Sequence, residues 1–334
     1  MVGPCPRAPT RRRRPAGVGW RPAAPPPPMC YSAQIEADYR RYVRQFGATI
    51  SLEDFTAQAM ADPGKGRPKW PKGMRDAAAA DTSPGAEQLR AAARFWVAQD
   101  VAAAERELAK QRERVAAGQQ ALATKPTKKA AEDVRIGANK VEQLEGRLAD
   151  LRRREPKPRD GRIYPGYYAP VMVWKDGGPV VLPMRYQCRP AGKPEFYDRK
   201  FPGTYNARRD NLEGFWKGQF GKTHGVVLAK AFYEHVEQDG RDTVLEFTPQ
   251  DGSEMLVACL WSSWIGKDGD ELLSFAAITD EPPPEVAAAG HDRCIIPIRR
   301  ENLEAWLKPT TDTQALYAIL DDRERPYYEH REAA

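Results

Sequence analysis

The sequence predicts an α+β fold, namely a mainly antiparallel, β-rich domain with flanking helices and an inserted antiparallel helical hairpin. Short runs of β-branched and aromatic residues predominate after residue 160, and they do not alternate with helices in a βαβ rhythm. Between residues 88 and 154 the composition changes to Ala, Glu, Lys, Arg and Leu, with almost no strand formers. A chain of 334 residues can hold one elaborated domain or two small ones.

Residues 1–28 lack the features of a folded segment. They contain nine prolines, six arginines and no acidic residue, so no apolar period is available for a core. They also lack the apolar stretch of a secretory signal or a membrane helix, although an arginine-rich, acid-free start loosely resembles an organelle transit peptide. We expect translation to begin at Met29, and residues 1–28 to be a disordered extension that comes from a misplaced start.

Cys30 directly follows Met29. Initiator methionine is generally removed before a small residue, so a chain that starts at Met29 would expose an amine and a thiol on Cys30. Their unperturbed pKa values, roughly 8 and about 8.5, leave part of each group nucleophilic near neutral pH. An aldehyde that meets both groups can close to a five-membered thiazolidine. The alternative is that Cys30 is an ordinary small buried residue.

The net charge does not indicate nucleic-acid binding once the extension is set aside. The whole chain has 52 Lys and Arg against 46 Asp and Glu, and the extension holds six of the arginines, which leaves 46 of each sign. Residues 185–230 are locally basic, with ten basic and four acidic side chains among aromatic ones. Such a pattern suits a groove for single-stranded nucleic acid, or a solvated face over core aromatics.

Five scattered cysteines include no CxxC pair, which argues against a zinc ribbon or a disulfide framework and suits a reducing cytosol. Spacing alone leaves open a metal site made from Cys188, Cys259, Cys294 and His291. We nevertheless expect no metal and no cofactor, and a cytoplasmic protein.

Local sequence patterns predict the positions of the helices and strands. Helical periodicity occurs at 34–46, 52–61 and 300–307. Strand-like runs are bounded by Gly, Pro and Asp, and they lie at 167–174, 179–186, 225–235, 243–247, 255–262 and 272–278.

The hairpin at 88–154 is predicted from two heptad series that flank a break at 124–129. The first series is Val101, Leu108, Val115 and Leu122, and the second is Val134, Val141 and Leu148. Gln111 and Gly118 fall on the first seam, so we expect modest packing. We interpret the hairpin as a structural insertion or a surface for a protein partner.

Four segments, taken in order, resemble the SRAP family of SOS response-associated peptidase-like proteins. They are Met29-Cys30, YYAP at 167–170, TYNARRDNLEGFWKGQF at 204–220 with AFYEHV at 231–236, and ITDEPPP with GHDRCIIPI within 278–298. The resemblance covers residues 29–72 and 163–309, and the hairpin lies outside it. It implies an SRAP-type domain at 29–315, followed by a polar tail at 316–334.

Members of this family form a thiazolidine between an amino-terminal cysteine and the ring-opened aldehyde of an abasic site in single-stranded DNA. The resemblance therefore implies a DNA damage response protein with lyase-like chemistry, in a family named for peptidase activity. It implies that Cys30 forms the crosslink, that Asn206 lies beside it and that Glu234 and His291 transfer protons. By the same resemblance, Arg208 and Arg293 contact phosphates.

A carboxyl and an imidazole suit that chemistry, because opening the sugar and forming an imine each need a proton moved. The expected partner is single-stranded DNA with abasic sites, bound by a monomer that has no membrane contact and is associated with the bacterial nucleoid when on DNA. Departures from the family pattern concern DNA contacts: Tyr31-Ser32 follows Cys30 in place of Gly-Arg, the YYAP loop lacks an asparagine, and Cys294-Ile295 replaces Met-Pro.

Two other functions stay open. An amino-terminal cysteine can serve as the nucleophile of an amidohydrolase or a self-processing peptidase, with its own amine as the base. A non-catalytic scaffold that acts through the hairpin would leave Cys30 dispensable.

Overall fold

A computed structural model of the protein describes residues 32–61, 67–238 and 240–333. Cys30 and the extension at 1–28 lie outside the described residues. Within them, the predicted α+β class is confirmed, with strands joined in one largely antiparallel sheet. The strands are β1 Ser32–Ile35, β2 Thr49–Ile50, β3 Arg162–Ile163, β4 Tyr168–Lys175, β5 Gly178–Tyr186, β6 Asn206–Arg208, β7 His224–Gln238, β8 Arg241–Pro249, β9 Met255–Ile265, β10 Glu271–Asp280, β11 Cys294–Ile295 and β12 Tyr328–Glu332.

The helices of the described residues surround this sheet. They are α1 Arg40–Phe46, α2 Leu52–Ala59, α3 Lys72–Ala79, α4 Glu87–Thr124, α5 Lys128–Arg152, α6 Tyr197–Lys200, α7 Pro284–Ala288, α8 Leu303–Leu307 and α9 Thr313–Asp321. None of the helices in the described part of the chain is both long and apolar enough to cross a membrane.

Five strands close into a ring. β4 pairs with β7 and β5, β5 runs parallel to β10, and β9 joins β10 back to β7. Because side chains alternate along a strand, one set fills the barrel and the other set faces outward. Val171 and Val173 belong to the interior cluster, whereas Met172 packs outside with Tyr39 and Phe55 of the helical layer.

β7 continues beyond the ring and carries the rest of the sheet. Its second half pairs with β1 on one side and β8 on the other, and β12 adds to the edge of β8. β6 and β11 both pair with the carboxyl-terminal end of β10. Two groups of strands, β1 with β7 and β6 with β11, therefore meet at one end of the barrel and build the candidate site.

The hairpin of α4 and α5 is antiparallel, as predicted. Arg112 contacts Glu145 at 2.6 Å, and farther from the turn Glu105 contacts Arg152. Near the turn, a Cβ on Gly118 would lie 2.8 Å from Val134, so the glycine permits close approach of the helices. Buried apolar residues of the hairpin seam are few, and they include Ala104, Leu108, Ala130 and Leu148. The amino-terminal part of α4 packs on the main core through Leu89 and Trp96.

The chain ends differ from the sequence-based expectations. The helical pattern at 34–46 becomes strand β1 followed by the shorter helix α1, because residues 32–35 pair with both β3 and β7. In the segment at 316–334, expected to be a polar tail, residues 316–333 instead belong to the fold. Leu316 and Leu320 of α9 are buried in the main core, and β12 pairs with β8 over five residues.

Candidate active site

Glu234 and His291 form a buried pair at the end of the barrel. Glu234 Oε2 lies 3.0 Å from His291 Nε2, and the side chains are 0% and 3% exposed. Glu234 shares the inward-facing side of β7 with Phe232 and Val236, which are members of the interior apolar cluster. His291 follows α7, where Gly290 has a φ of +99°, a left-handed conformation that favours glycine. The tight turn brings the imidazole back over the sheet.

The other ring nitrogen of His291 is held by its own loop. Nδ1 lies 2.9 Å from the Arg293 carbonyl oxygen and 3.3 Å from the Arg293 backbone nitrogen. When Nδ1 donates to the carbonyl, a neutral ring has no proton on Nε2. A proton between Nε2 and Glu234 then belongs either to a carboxylic acid on Glu234 or to an imidazolium on His291. When Nδ1 accepts from the backbone N–H, Nε2 itself donates to the carboxylate. In either arrangement Nε2 and the carboxyl lie within reach of proton transfer, which acid–base catalysis requires.

Cys294 lies beside this pair in β11. Burial raises the pKa of the Cys294 thiol above its ordinary value, and the nearby Glu234 carboxylate raises it further. The thiol therefore stays protonated, and reactivity requires a thiolate. Burial likewise raises the pKa of Cys188 to about 12. Neither of these described thiols has the environment of a nucleophile.

Asn206 lies on β6, and its side chain is almost wholly buried. β6 runs parallel to β10, with Asn206 opposite Ala277. The Tyr186 hydroxyl donates to Asn206 Oδ1 at 3.4 Å, and the Tyr186 ring stacks on Phe275 at 5.2 Å between centroids. Asn206 is thereby oriented by a residue of β5 that the sequence analysis did not single out. The only sequence signal for Tyr186 was its position at the end of a predicted strand.

Asp210 interacts with the arginines assigned to phosphates, directly with Arg208 and electrostatically with Arg293. Arg208 Nη2 contacts Asp210 Oδ2 at 2.8 Å. The hydrogen bond from Arg208 lowers the pKa of Asp210, and the charge of Arg293 lowers it further. The pKa of Arg208 is raised chiefly by its hydrogen bond to Asp210, and the negative charge of Asp292 raises it further. Asp210, also missed from the sequence, bonds to Arg208 and therefore competes with any phosphate that approaches this arginine.

Strand register explains why these loops are close. Thr279 of β10 pairs with Arg208 of β6 on one edge and with Ile295 of β11 on the other. Adjacent strands lie about 4.8 Å apart, so Arg208 and Ile295 are separated by about 10 Å across β10. The loop at 291–293 leads directly into β11. The structure therefore brings Asn206 and Arg208 to the same end of the barrel as His291 and Arg293.

β1 approaches the same region from the other side. Ser32 pairs with Tyr233, the residue before Glu234. Ser32, Tyr186, Phe232 and Ile295 line one apolar cavity beneath the site. Cys30 itself lies outside the described residues, so its relation to Asn206, Glu234 and His291 stays a prediction. So do the roles assigned to those three residues and to the two arginines.

No group of three or more His, Cys, Asp or Glu side chains within the described ranges could hold a metal ion.

Comparison with known protein families gives one match. A sequence model of the family described as SOS response associated peptidase (SRAP) matches residues 103–332. The matched span includes most of the hairpin and extends past residue 309, so it is wider at these points than the resemblance read from motifs. Residues 29–72, with Cys30, lie outside it. None of the curated proteins matches the chain.

Three solved structures are similar to the chain. A protein from Bordetella bronchiseptica is 18% identical, with 52% of this chain and 87% of that chain covered and a TM-score of 0.44. A protein from Bacteroides thetaiotaomicron is 15% identical, with 52% and 78% covered and a TM-score of 0.45. A phage-related protein from B. bronchiseptica is 18% identical, with 55% and 85% covered and a TM-score of 0.42.

Proposed function

Because the chain belongs to the SOS response associated peptidase (SRAP) family, we propose that it captures abasic sites in single-stranded DNA through a thiazolidine on Cys30. Membership itself implies an SOS response-associated, peptidase-like function. The observation that carries the finer proposal is the buried contact between Glu234 and His291. A carboxyl and an imidazole 3.0 Å apart, next to the strand that follows Cys30, suit the condensation of an aldehyde with an amine.

The sequence separation supports the participation of Cys30. Two extended residues span at most about 7 Å, so a cysteine two positions before Ser32 is covalently tethered near the partner strand of β1. Ser32 is opposite Tyr233, and Glu234 follows it. Holding the amine and thiol beside the reacting aldehyde would supply the effective concentration that a free condensation lacks.

The proposed reaction consists of three balanced steps. The abasic sugar opens when a proton leaves its C1 hydroxyl and the ring oxygen receives one, which gives the aldehyde. The Cys30 amine then adds to the carbonyl carbon, and the oxygen leaves as water after it is protonated. Finally, the Cys30 thiolate adds to the resulting imine carbon while the imine nitrogen accepts a proton. The product is a thiazolidine, and one water is released.

Glu234 and His291 can divide these proton transfers. The acid form of the pair protonates the departing oxygen, and the base form accepts a proton from the sugar hydroxyl or the attacking amine. Asn206, fixed by Tyr186, offers an amide to the sugar or its phosphate. Arg208 and Arg293 suit phosphates on either side of the lesion, because guanidinium groups bind phosphate through paired N–H donors.

Crosslinking assays with three forms of the protein test this proposal. A protein that begins at Cys30 should form a heat-stable adduct with an abasic single-stranded oligonucleotide. Cys30→Ser keeps the amine, so it should give only an adduct that requires borohydride reduction. A protein with residues 1–28 retained has its Cys30 amine in a peptide bond, and it should form none. A heat-stable adduct of Cys30→Ser would contradict the proposal.

The family description also favours a second candidate, a peptidase that uses Cys30. The same Glu234–His291 pair can transfer protons during amide hydrolysis, with the Cys30 thiolate attacking a carbonyl carbon. Self-processing would then remove the segment before Cys30. Expression of the full chain with Cys30→Ala distinguishes the two functions. A segment that stays attached in the variant but is lost from the parent supports self-processing.

A further inference from the structure

β12 is an edge strand of the sheet. It pairs with β8 on one side, and none of the described strands pairs with its other side. Every residue of β12 after Tyr328 is exposed. An edge strand of this kind presents unpaired backbone groups, to which another strand can add. The free side of β12 is therefore a candidate surface for association with another chain.

The backbone groups that point to the free side can be identified from the bonds to β8. Gln250 N–H donates to the Tyr327 carbonyl oxygen at 2.9 Å, and Ala333 N–H donates to the Val244 carbonyl oxygen at 2.8 Å. In an antiparallel pair, successive residues direct their backbone groups alternately towards the partner strand and away from it. The odd-numbered residues of this segment therefore bond to β8, and the even-numbered residues direct their N–H and C=O groups to the free side.

α7 covers the free side only at the beginning of β12. Tyr328 N–H donates to Glu285 Oε1 of α7 at 3.1 Å. Among the described residues, none bonds to the outward N–H and C=O groups of His330 and Glu332. Both of these residues are exposed. The segment available to a further strand thus covers 328–332, and it is bounded by α7.

The charges of β12 make the strand complementary to a second copy of itself. Antiparallel pairing about a two-fold axis at His330 places Glu329 of each copy opposite Arg331 of the other. Opposite charges directly across two strands attract, and like charges repel. Because only alternate residues point outward, the axis can move only in steps of one residue. One step puts Glu329 against Glu329 or Arg331 against Arg331, so the charges favour the axis at His330.

The same register uses the outward backbone groups. His330 lies opposite His330 of the second copy, so each can donate its N–H to the carbonyl oxygen of the other. Glu332 lies opposite Tyr328, and its N–H can donate to the Tyr328 carbonyl oxygen. The Tyr328 N–H stays with Glu285. Two-fold symmetry repeats each of these contacts, as it does in most dimers of identical chains.

We propose that the protein forms a symmetric dimer, in which β12 pairs antiparallel with β12 of a second copy and continues the sheet across the two-fold axis. The interface is small and largely polar, which is typical of weak, concentration-dependent association. This dimer differs from the monomer expected from the sequence. Its formation requires neither Cys30 nor DNA, so it is independent of the proposed function.

Sedimentation equilibrium of the full chain, under reducing conditions, measures the association. Glu329→Arg and Arg331→Glu each turn the opposite-charge contacts into like-charge contacts. Each variant alone should therefore dimerise roughly ten-fold to a hundred-fold more weakly than the parent protein. An equimolar mixture of the two variants restores opposite charges across the axis, and its association should return to the parent level. Recovery in the mixture excludes misfolding as the cause of the loss.

His330→Pro tests the backbone contacts separately. It removes an N–H that points to the free side and is not needed for pairing with β8, so the variant should be folded but monomeric. Arg135→Glu is the matched control for charge. It makes the same charge change as Arg331→Glu on α5, where the Arg135 side chain is 67% exposed, and it should dimerise like the parent.

A parent protein that stays monomeric at every concentration would overturn the proposal. So would a dimer that survives the charge reversals or the proline, because its interface would lie elsewhere. Weak association in the mixture of Glu329→Arg with Arg331→Glu would also contradict it, since the proposed register pairs these two positions.

Discussion

Glu234 Oε2 and His291 Nε2 lie 3.0 Å apart, on side chains that are both buried at the end of the barrel. At this distance a buried carboxyl and an imidazole can pass a proton between them. We predict that Glu234→Gln, which keeps size but loses proton transfer, slows adduct formation by roughly a hundred- to ten-thousand-fold. Single-turnover crosslinking with abasic DNA measures the rate.

Glu246→Gln is the matched control. Glu246 is a buried glutamate of β8, opposite Tyr233 in the register, and it pairs with Arg331. Its variant should crosslink at the parent rate, and neither variant should lose affinity for an undamaged strand. If Glu234 and His291 act as a unit, combining Glu234→Gln with His291→Ala costs little more than one change alone. If the rate losses of the two single variants multiply in the double variant, the two residues act independently.

A second prediction concerns Asp210, which holds Arg208. We expect Asp210→Asn to raise the affinity for undamaged single strands by roughly two- to five-fold, because it removes a negative charge that competes with phosphate. Arg208→Ala should weaken binding and make its salt dependence shallower by up to about one ion. Titrations at several salt concentrations measure both effects.

The Arg299–Asp322 pair, at 3.0 Å, offers the matching control for Asp210. Asp322→Asn should leave the affinity unchanged. An equal gain from both substitutions would mean that overall charge, and not the position of Asp210, governs DNA binding.

A third prediction is loss of stability in acid through His224. Gly221 N–H donates to His224 Nε2 at 2.8 Å, which leaves Nδ1 to donate to the Trp306 carbonyl oxygen, also at 2.8 Å. Burial lowers the pKa of His224 to about 4. The unfolded chain therefore binds the proton more tightly, and the free energy of unfolding falls as the pH drops from about 6.5 towards 4, by up to about 3 kcal/mol.

Denaturant unfolding at several pH values measures this contribution. His224→Phe can keep the stacking on Trp306, now 4.4 Å between centroids, but it has no titrating nitrogen. It should be less stable than the parent at pH 7.5, because the Gly221 and Trp306 backbone groups lose their partner, yet it should lose less stability in acid. An identical acid loss in both proteins would assign the effect to other groups.

A fourth prediction concerns the hairpin. Replacing residues 113–144 by a short turn should leave folding and crosslinking intact, because the core contacts of α4 are made by Leu89 and Trp96 near its beginning. The shortened protein keeps Ala104, Leu108 and Leu148 of the hairpin seam. Thermal unfolding and crosslinking rate are the two readouts. A folded protein that no longer captures DNA would place the hairpin within the functional site.

The barrel strands were predictable because their sequences are nearly continuous apolar runs. Val171, Met172 and Val173 show why: successive residues face the barrel interior and the helical layer, and both sides are buried. β12 was missed because only Tyr328 of its five residues is buried, so the strand has no apolar alternation. The end of β1, at 34–35, was read as helix because the strands that pair with β1, β3 and β7, are remote in sequence.

The candidate site was predictable in residue type but not in geometry. Glu234 and His291 were identified from motif order, while their contact depends on the turn at Gly290 and on the register of β7. Tyr186 and Asp210 were missed because their roles arise from neighbours in space. Tyr186 ends β5 and contacts Asn206 of β6, two strands that both pair with β10. Asp210 matters only because Arg208 bonds to it and the charge of Arg293 acts on it.

Intact mass spectrometry of the protein beginning at Cys30, mixed with an abasic single-stranded oligonucleotide, is the decisive test of capture by Cys30. We predict one new species with the summed mass of protein and DNA less one water, and peptide mapping should place the link on Cys30. Borohydride should add no hydrogen to it, since a thiazolidine has no imine to reduce. The absence of this species, or the same species from Cys30→Ala, would show that Cys30 does not capture the lesion in this way.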